Sequence, residues 1–264
     1  MCHDFAITDK HAVFVLSPAF MRSPFKFLFG FSSILQAIEF DNSEKTRVVV
    51  LDLETAAIAR EYEIDSFFGF HLGNAHESGN EIFVDVLCVD DMDVMGGLAD
   101  VFMERPADFN FLADGAMLNR LTLNLDTGET VREIHPGSVA GEFPVWNGGC
   151  TGAENRYTWL ATIVENGTPY WFNAYQKIDH RTGEMKIHDF GPGRFTSEAN
   201  FIPAKDGSPD DAGYLISIVY NDERGKSEVV LLDARNMEEE KAVIPLDNHI
   251  PFGFHGNFYP QTFL

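Results

Sequence analysis

The sequence is poor in cysteine, and its three cysteines, Cys2, Cys88 and Cys150, lie far apart without any Cys-x-x-Cys pair. This pattern excludes a disulfide framework and a cysteine-based zinc site. We expect free thiols in a reducing compartment. The first four residues carry neither the basic start nor the apolar stretch of a signal peptide, so we expect a cytoplasmic protein.

Basic residues are also scarce: 19 Lys and Arg face 41 Asp and Glu, which gives a net charge of −22. Nucleic acid needs a basic face, so we expect no nucleic-acid partner. The charge also disfavours attraction to anionic lipid and is typical of a well-solvated surface. No run reaches the roughly 20 apolar residues of a membrane span.

Phenylalanine, by contrast, is abundant: 24 Phe stand beside 7 Tyr and 3 Trp, which indicates an apolar, aromatic-lined interior or cavity. Short runs of Val, Ile, Leu and Phe alternate with Asp, Gly, Asn and Pro, which predicts strands almost throughout. Only Ser32–Ile38 looks weakly helical. Examples of predicted strands are Ala12–Leu16, Arg47–Leu51, Glu81–Val89, Thr158–Val164, Tyr214–Tyr220 and Glu228–Leu232.

A hairpin repeats along the chain, with a turn aspartate at Asp52, Asp126, Asp179 and Asp233. Gly128 and Gly183 supply the positive φ that such turns require. This spacing favours a β-propeller of about four blades in one domain, residues 1–264. An ordinary all-β sandwich with recurrent hairpins is the alternative.

One polar residue stands among apolar or aromatic neighbours near the start of each repeat, at His3, His71, Glu142, Glu198 and His255. In a propeller the innermost strands face the axis, so these side chains would converge. Three imidazoles there would bind a divalent transition metal, and carboxylates would accept the second ring N–H of each ligand. The competing interpretation is a set of core histidines and edge carboxylates. We interpret the other histidines as surface residues: His11, His76, His135, His180, His188 and His249.

The five polar residues lie in five short sequence motifs. They are His-Asp-Phe-Ala-Ile-Thr at 3–8, Phe-His-Leu-Gly-Asn-Ala-His-Glu at 70–77, Glu-Phe-Pro at 142–144, Ser-Glu-Ala-Asn-Phe at 197–201 and Pro-Phe-Gly-Phe-His-Gly at 251–256. In order and spacing, over the whole chain, they resemble the C-terminal part of the carotenoid cleavage oxygenases.

The resemblance implies a seven-bladed propeller with Fe(II) on its axis, held by four histidines and supported by three glutamates. It implies that His3, His71 and His255 are iron ligands, that Glu142 accepts a hydrogen bond from His71, and that Glu198 accepts one from His255. It further implies an apolar tunnel, O2 as co-substrate and cleavage of a conjugated double bond of a carotenoid, apocarotenoid or stilbene into two carbonyl products. No organic cofactor is implied.

The sequence departs from that pattern at its start, because the family's first histidine should precede His3. We therefore expect a form that lacks the N-terminal blades, and inactivity or near inactivity of these 264 residues alone. The alternative function is a non-catalytic propeller fragment or interaction module without a full iron site. A retinoid isomerase-like activity on the same scaffold is a third interpretation.

An apolar segment, Pro24–Leu35, falls where the family carries a hydrophobic patch by the tunnel mouth. It is too short to span a membrane and predicts either peripheral contact with one leaflet or a buried Phe-rich strand and loop. Its alternating phenylalanines suit a strand face or a surface loop. The residues proposed for this patch are Phe25, Phe27, Leu28, Phe29 and Phe31.

Overall fold

The computed structural model describes residues 2–21, 24–31, 37–90, 110–165, 171–204 and 210–259. The chain divides into two compact units, residues 1–134 and residues 135–264. Each unit is described by itself. The expectation of one propeller domain over residues 1–264 stays a prediction.

Unit 1 is built from antiparallel strands in three sheets over its described residues. The strands are β1 (Ala6–Ile7), β2 (His11–Leu16), β3 (Ala19–Met21), β4 (Ile38–Phe40), β5 (Thr46–Asp52), β6 (Ile58–Ile64), β7 (Phe68–Ser78), β8 (Glu81–Val89), β9 (Met117–Asn124) and β10 (Thr130–Ile134). Sheet I has the order β1-β2-β5-β6, sheet II has the order β7-β8-β9-β10, and β3 pairs with β4. The described residues of unit 1 also include the very short helices α1 (Pro24–Leu28) and α2 (Phe111–Asp114).

Unit 2 repeats this plan. Its strands are β11 (Gly141–Val145), β12 (Tyr157–Thr162), β13 (Ala174–Asp179), β14 (Met185–Asp189), β15 (Arg194–Phe195), β16 (Asn200–Pro203), β17 (Gly213–Asn221), β18 (Lys226–Asp233) and β19 (Glu240–Pro245). Sheet III has the order β11-β12-β13-β14. Sheet IV has the order β15-β17-β18-β19, and β16 also pairs with β17. Sheets I to IV are therefore antiparallel meanders that follow the chain, which is the strand order of a propeller blade.

The predicted strands agree closely with the observed ones. Glu81–Val89 coincides with β8, and the strand predicted to end at Val164 ends at Thr162. Within the segment predicted to be weakly helical, residues 32–36 lie outside the described residues. In the remainder, Ala37 is helical and Ile38 begins β4.

Each unit has its own apolar core, filled by alternate residues of the inner strands. On β5, Thr46, Val48 and Val50 are fully buried, whereas Arg47, which points to the other face, is exposed. On β18, Val230 and Leu232 are buried in the core of unit 2, which also holds Trp159. This alternation is the two-residue period of a strand with one face in the core.

The four hairpins between the third and fourth strands of the sheets share one turn geometry. In each, a side-chain oxygen accepts hydrogen bonds from the backbone N–H groups two and three residues later; the acceptors are Asp52, Asn124, Asp179 and Asp233. The backbone N–H four residues later donates to the carbonyl of the same residue, from Ala56, Gly128, Gly183 and Met237. All four of these donors have positive φ.

The glycine turns are thus confirmed, with φ of 80° at Gly128 and 72° at Gly183. The choice of Asp126 as the repeated position is wrong. Asn124 occupies it, because Asp126 lies inside the turn and its own N–H donates to the Asn124 side chain at 3.0 Å.

Arg60, on β6, reaches from sheet I to the turn of sheet II. Its Nη1 donates to the carbonyls of Leu125 at 2.6 Å and Asp126 at 2.9 Å. The Tyr62 hydroxyl donates to the carbonyl of Asn124 at 3.0 Å. A Cβ at Gly128 would lie 2.3 Å from Arg60 Nη2, so a larger residue there would displace the Arg60 side chain from the turn.

Candidate metal centre

His71 lies on β7, the edge strand of sheet II, and is 6% exposed. The register between β7 and β8 shifts on both sides of Leu72, so this edge is irregular where the histidine stands. Nearby, a Cβ at Gly73 would lie 2.9 Å from Cβ of Asp85 on β8. Glycine therefore allows the close approach of the two strands beside His71.

His3 lies before β1, outside any strand, and its ring stacks on Phe70 with centroids 4.0 Å apart and planes inclined by 11°. The ring centroids of His3 and His71 are 5.2 Å apart. Two imidazoles that share one metal ion have centroids about 5 Å apart at ordinary bond lengths. A ring nitrogen of each lies within 4.8 Å of the other, and a shared ion would draw them to about 3–4 Å.

In unit 2, His255 follows β19 in a segment without regular secondary structure, and its side chain is 50% exposed. Its Nδ1 lies 3.3 Å from Oε1 of Glu198, and Oε2 of Glu198 accepts the backbone N–H of Gly256 at 2.8 Å. The expected contact between Glu198 and His255 is therefore present. An Nδ1 that donates to a carboxylate leaves Nε2 with the lone pair that a metal needs.

Glu142 lies on β11, and its carboxylate accepts the N–H of Phe143 at 3.3 Å. Phe143 has φ of 58°, and its ring meets that of His255 edge to face at a centroid distance of 5.9 Å. Sequence reasoning missed Phe143, although it stands inside the Glu-Phe-Pro motif. The expected hydrogen bond from His71 to Glu142 stays a prediction.

The five polar residues were expected on strands that open each repeat, and this holds for His71 and Glu142. It is wrong for the other three: His3 precedes β1, Glu198 lies between β15 and β16, and His255 follows β19. These three residues lie where the chain enters or leaves a sheet. A loop backbone is not constrained by strand pairing, so it can place a side chain at a position that a strand residue could not reach.

A cavity of about 300 Å³ in unit 2 opens beside His255. Its walls include Tyr220, Phe252 and Phe254, and Glu198 contributes one of its polar groups. Concave, mostly apolar pockets with a few convergent polar groups are the usual form of small-molecule sites.

The interpretation of the remaining histidines as surface residues is wrong for His11, His135 and His188, which are 8%, 7% and 8% exposed. Each has an acceptor that the local sequence did not indicate. Nδ1 of His11 meets Glu77 at 2.8 Å, that of His135 meets the Pro136 carbonyl at 2.8 Å, and that of His188 meets the Met237 carbonyl at 3.0 Å. His76 and His180 are half-buried, and His249 is exposed.

Of the apolar segment Pro24–Leu35, residues 24–31 form α1 and the turn that follows it, and residues 32–35 lie outside the described residues. In the described part the expected strand is wrong and the expected surface position is right. The exposed fractions are 72% for Phe25, 68% for Phe29 and 81% for Phe31, and Phe27 and Leu28 are also exposed. No helix in the described part of the chain is long and apolar enough to traverse a bilayer.

The family model described as retinal pigment epithelial membrane protein matches residues 1–260. A carotenoid 9,10(9',10')-cleavage dioxygenase of Crocus sativus is 32% identical over 276 residues, covering 98% of this chain and 48% of that protein. An apocarotenoid-15,15'-oxygenase of Synechocystis is 27% identical over 257 residues, covering 97% of this chain and 51% of that protein.

The crystal structure of cobalt-substituted Synechocystis ACO superposes with a TM-score of 0.82 at 24% identity, covering 97% of this chain and 52% of that one. This likeness confirms the predicted fold class, an all-β protein of the propeller type. The total of seven blades stays a prediction. The chain spans about half the length of the curated relatives it matches.

Proposed function

Because this chain belongs to the family of the retinal pigment epithelial membrane protein and the carotenoid cleavage oxygenases, we propose that it forms part of a non-haem Fe(II) dioxygenase. The reaction is cleavage of a conjugated C=C bond of a carotenoid, apocarotenoid or stilbene to two carbonyl products. His3, His71 and His255 hold the metal, and Glu142 and Glu198 orient the imidazoles.

The contact between Glu198 and Nδ1 of His255, at 3.3 Å, is the observation that carries the proposal. It leaves Nε2 as the donor atom, and neutral imidazole nitrogens suit Fe(II). The close pair His3 and His71 has the same donor chemistry. When bound, iron supplies the site at which O2 reacts with the olefin.

The cavity beside His255 supports an apolar, conjugated substrate. Phe252 and Phe254 offer flat aromatic surface to a planar polyene, and Tyr220 adds a polar handle on an aromatic ring. In such a cavity the substrate is held by its shape and apolar area, while His255 and Glu198 stand at the wall.

Metal loading tests the site. The full chain is loaded with Fe(II) without oxygen, desalted and analysed for iron; His3→Ala, His71→Ala and His255→Ala should each lose the metal, and the exposed His249→Ala should keep it. Glu142→Gln and Glu198→Gln should bind about 10–100-fold more weakly with an unchanged circular dichroism spectrum. Glu184→Gln, a change at an exposed glutamate, is the control. Iron retained in all three histidine variants would refute the site.

Turnover separates the dioxygenase from the alternative. The iron-loaded chain receives ¹⁸O2 and a panel of carotenoid, apocarotenal and stilbene substrates. Labelled carbonyl fragments formed at about 1 per second or faster establish the dioxygenase. Iron bound at the three histidines without turnover is the result expected of these 264 residues alone, and it favours a non-catalytic propeller for the chain as it stands. A double-bond isomer without cleavage favours an isomerase on the same scaffold.

We also propose that α1 and the turn after it contact one leaflet of a membrane peripherally. Phe25, Phe29 and Phe31 project a large apolar area from the surface of unit 1. An exposed contiguous apolar patch of this kind is typical of interaction with lipid or with a partner.

A further inference from the structure

Asp4 carries a carboxylate that joins the chain beside His3 to the chain beside His71. Its Oδ1 accepts the N–H of Phe5 at 2.8 Å, and its Oδ2 accepts the N–H of Leu72 at 2.9 Å. Leu72 is the residue after His71, and Asp4 is the residue after His3. One half-buried side chain therefore ties together the backbones that carry the two imidazoles.

The N–H of Leu72 requires such an acceptor. Leu72 is 4% exposed, and the strand register shifts on either side of it. A buried N–H without an acceptor costs about 1–3 kcal/mol. An ionised carboxylate is a stronger acceptor than a carbonyl, so Asp4 satisfies this donor with a charge-assisted hydrogen bond.

We propose that Asp4 is a positioning residue that sets the separation of His3 and His71. The inference rests on the proposed function, since it assigns Asp4 to the support of the same metal site. Asp4 acts through backbone: it fixes the short segment before β1 against β7, and the stacking of His3 on Phe70 then sets the direction of the ring.

The chemical need for this contact follows from where His3 lies. It stands in an exposed segment without regular secondary structure, before a strand of two residues, so strand pairing does not hold it. A ligand on a loose segment must be ordered when the metal binds, and that ordering lowers the affinity. Loss of a group that orients a ligand typically weakens metal binding about 10–100-fold.

The test uses Co(II), whose visible absorption reports the ligand geometry, titrated into the full chain and its variants. Asp4→Ala should bind about 10–100-fold more weakly with an altered spectrum. Asp4→Asn keeps one oxygen acceptor and should recover most of the affinity. Asp9→Ala removes the same charge from the exposed turn before β2 and should bind as the unchanged chain does.

Amide hydrogen exchange without metal supplies the second readout. The Leu72 N–H should exchange at least about tenfold faster in Asp4→Ala, while Val84 in the middle of β8 stays protected. Co(II) affinity and Leu72 exchange that both match the unchanged chain would overturn the inference. If Asp4→Ala does not fold, a Leu72 amide unprotected in the unchanged chain would overturn it as well.

The two proposals fail in different ways. Should the unchanged chain take up no Co(II), or take it up equally without the three histidines, the proposed function fails. Slower exchange of the Leu72 N–H in the metal-free unchanged chain than in Asp4→Ala would then still show that Asp4 holds the two segments together.

Discussion

Phe143 holds the most unusual backbone conformation near the candidate site. Its φ of 58° places a bulky residue in the left-handed region, beside Glu142 and against the ring of His255. Such a conformation costs about 1–2 kcal/mol for a residue with a Cβ. Strain of this kind persists where surrounding structure imposes it, and it concentrates at functional sites.

A pair of variants isolates this strain. Phe143→Ala and Phe143→Gly both remove the ring that packs against His255 and Phe172. Glycine tolerates positive φ, so Phe143→Gly should be more stable than Phe143→Ala by about 1 kcal/mol in urea unfolding. At an ordinary strand position the order is the reverse, and finding the alanine variant more stable would refute the strained backbone.

At the scale of single residues, the sequence predicted one contact between distant residues and misjudged the burial of three histidines. It paired Glu198 with His255, because both motifs carry a family resemblance. It misassigned His11, since the acceptor Glu77 is 66 residues away in the chain. His188 was missed for the same reason, because it meets Met237 only after sheets III and IV have formed.

At the scale of elements, the hairpin turns show how one geometry is built from different sequences. Two of the four turns have glycine at the position with positive φ, and the others have Ala56 and Met237 there. In each turn, the side-chain oxygen of the first residue accepts hydrogen bonds from two backbone N–H groups of the loop. These hydrogen bonds offset the cost of a positive φ at a residue that has a Cβ.

Ala56→Gly should therefore stabilise unit 1. Relief of the left-handed conformation outweighs the added entropy of the unfolded chain, for a net gain of about 0.5–1 kcal/mol in thermal or urea unfolding. Ala57→Gly, one residue later and without positive φ, should destabilise by about the same amount. Equal effects at the two neighbouring positions would contradict the assigned turn.

Most strands could be predicted because their apolar residues alternate or run together for four to nine positions. The sequence could not predict α1, because phenylalanines at alternate positions are also typical of a strand. Nor could it choose between Asn124 and Asp126, since both side chains accept hydrogen bonds equally well. Only the register of β9 with β10 separates them.

At the scale of the whole molecule, the net charge of −22 and the exposed phenylalanines of unit 1 act in opposite directions at a membrane. Anionic headgroups repel the protein, while burial of each aromatic ring contributes about 1.5–3 kcal/mol. Membrane contact, where it occurs, must therefore come from apolar insertion.

Vesicle sedimentation tests that balance. Binding to zwitterionic phosphatidylcholine vesicles should exceed binding to vesicles with phosphatidylserine, because the anionic lipid repels the acidic protein. Added salt screens this repulsion and should reduce the difference in binding between the two kinds of vesicle. Phe25→Ser with Phe29→Ser should reduce binding at least tenfold, whereas Ile244→Ser, an exposed apolar residue on β19, should not. Equal binding by the double variant would show that α1 is not the contact.

The hydrogen bonds between Arg60 and the turn at 124–128 affect how the chain folds during synthesis. Its guanidinium bonds carbonyls 65 and 66 positions later in the chain. Strand β6 pairs with β5 inside sheet I, but the hydrogen bonds of Arg60 form only after the last hairpin of sheet II has been synthesised. Long-range contacts of this kind slow folding and leave early sheets unsecured. During synthesis, sheet I therefore exists for a time without the contact that joins β6 to sheet II.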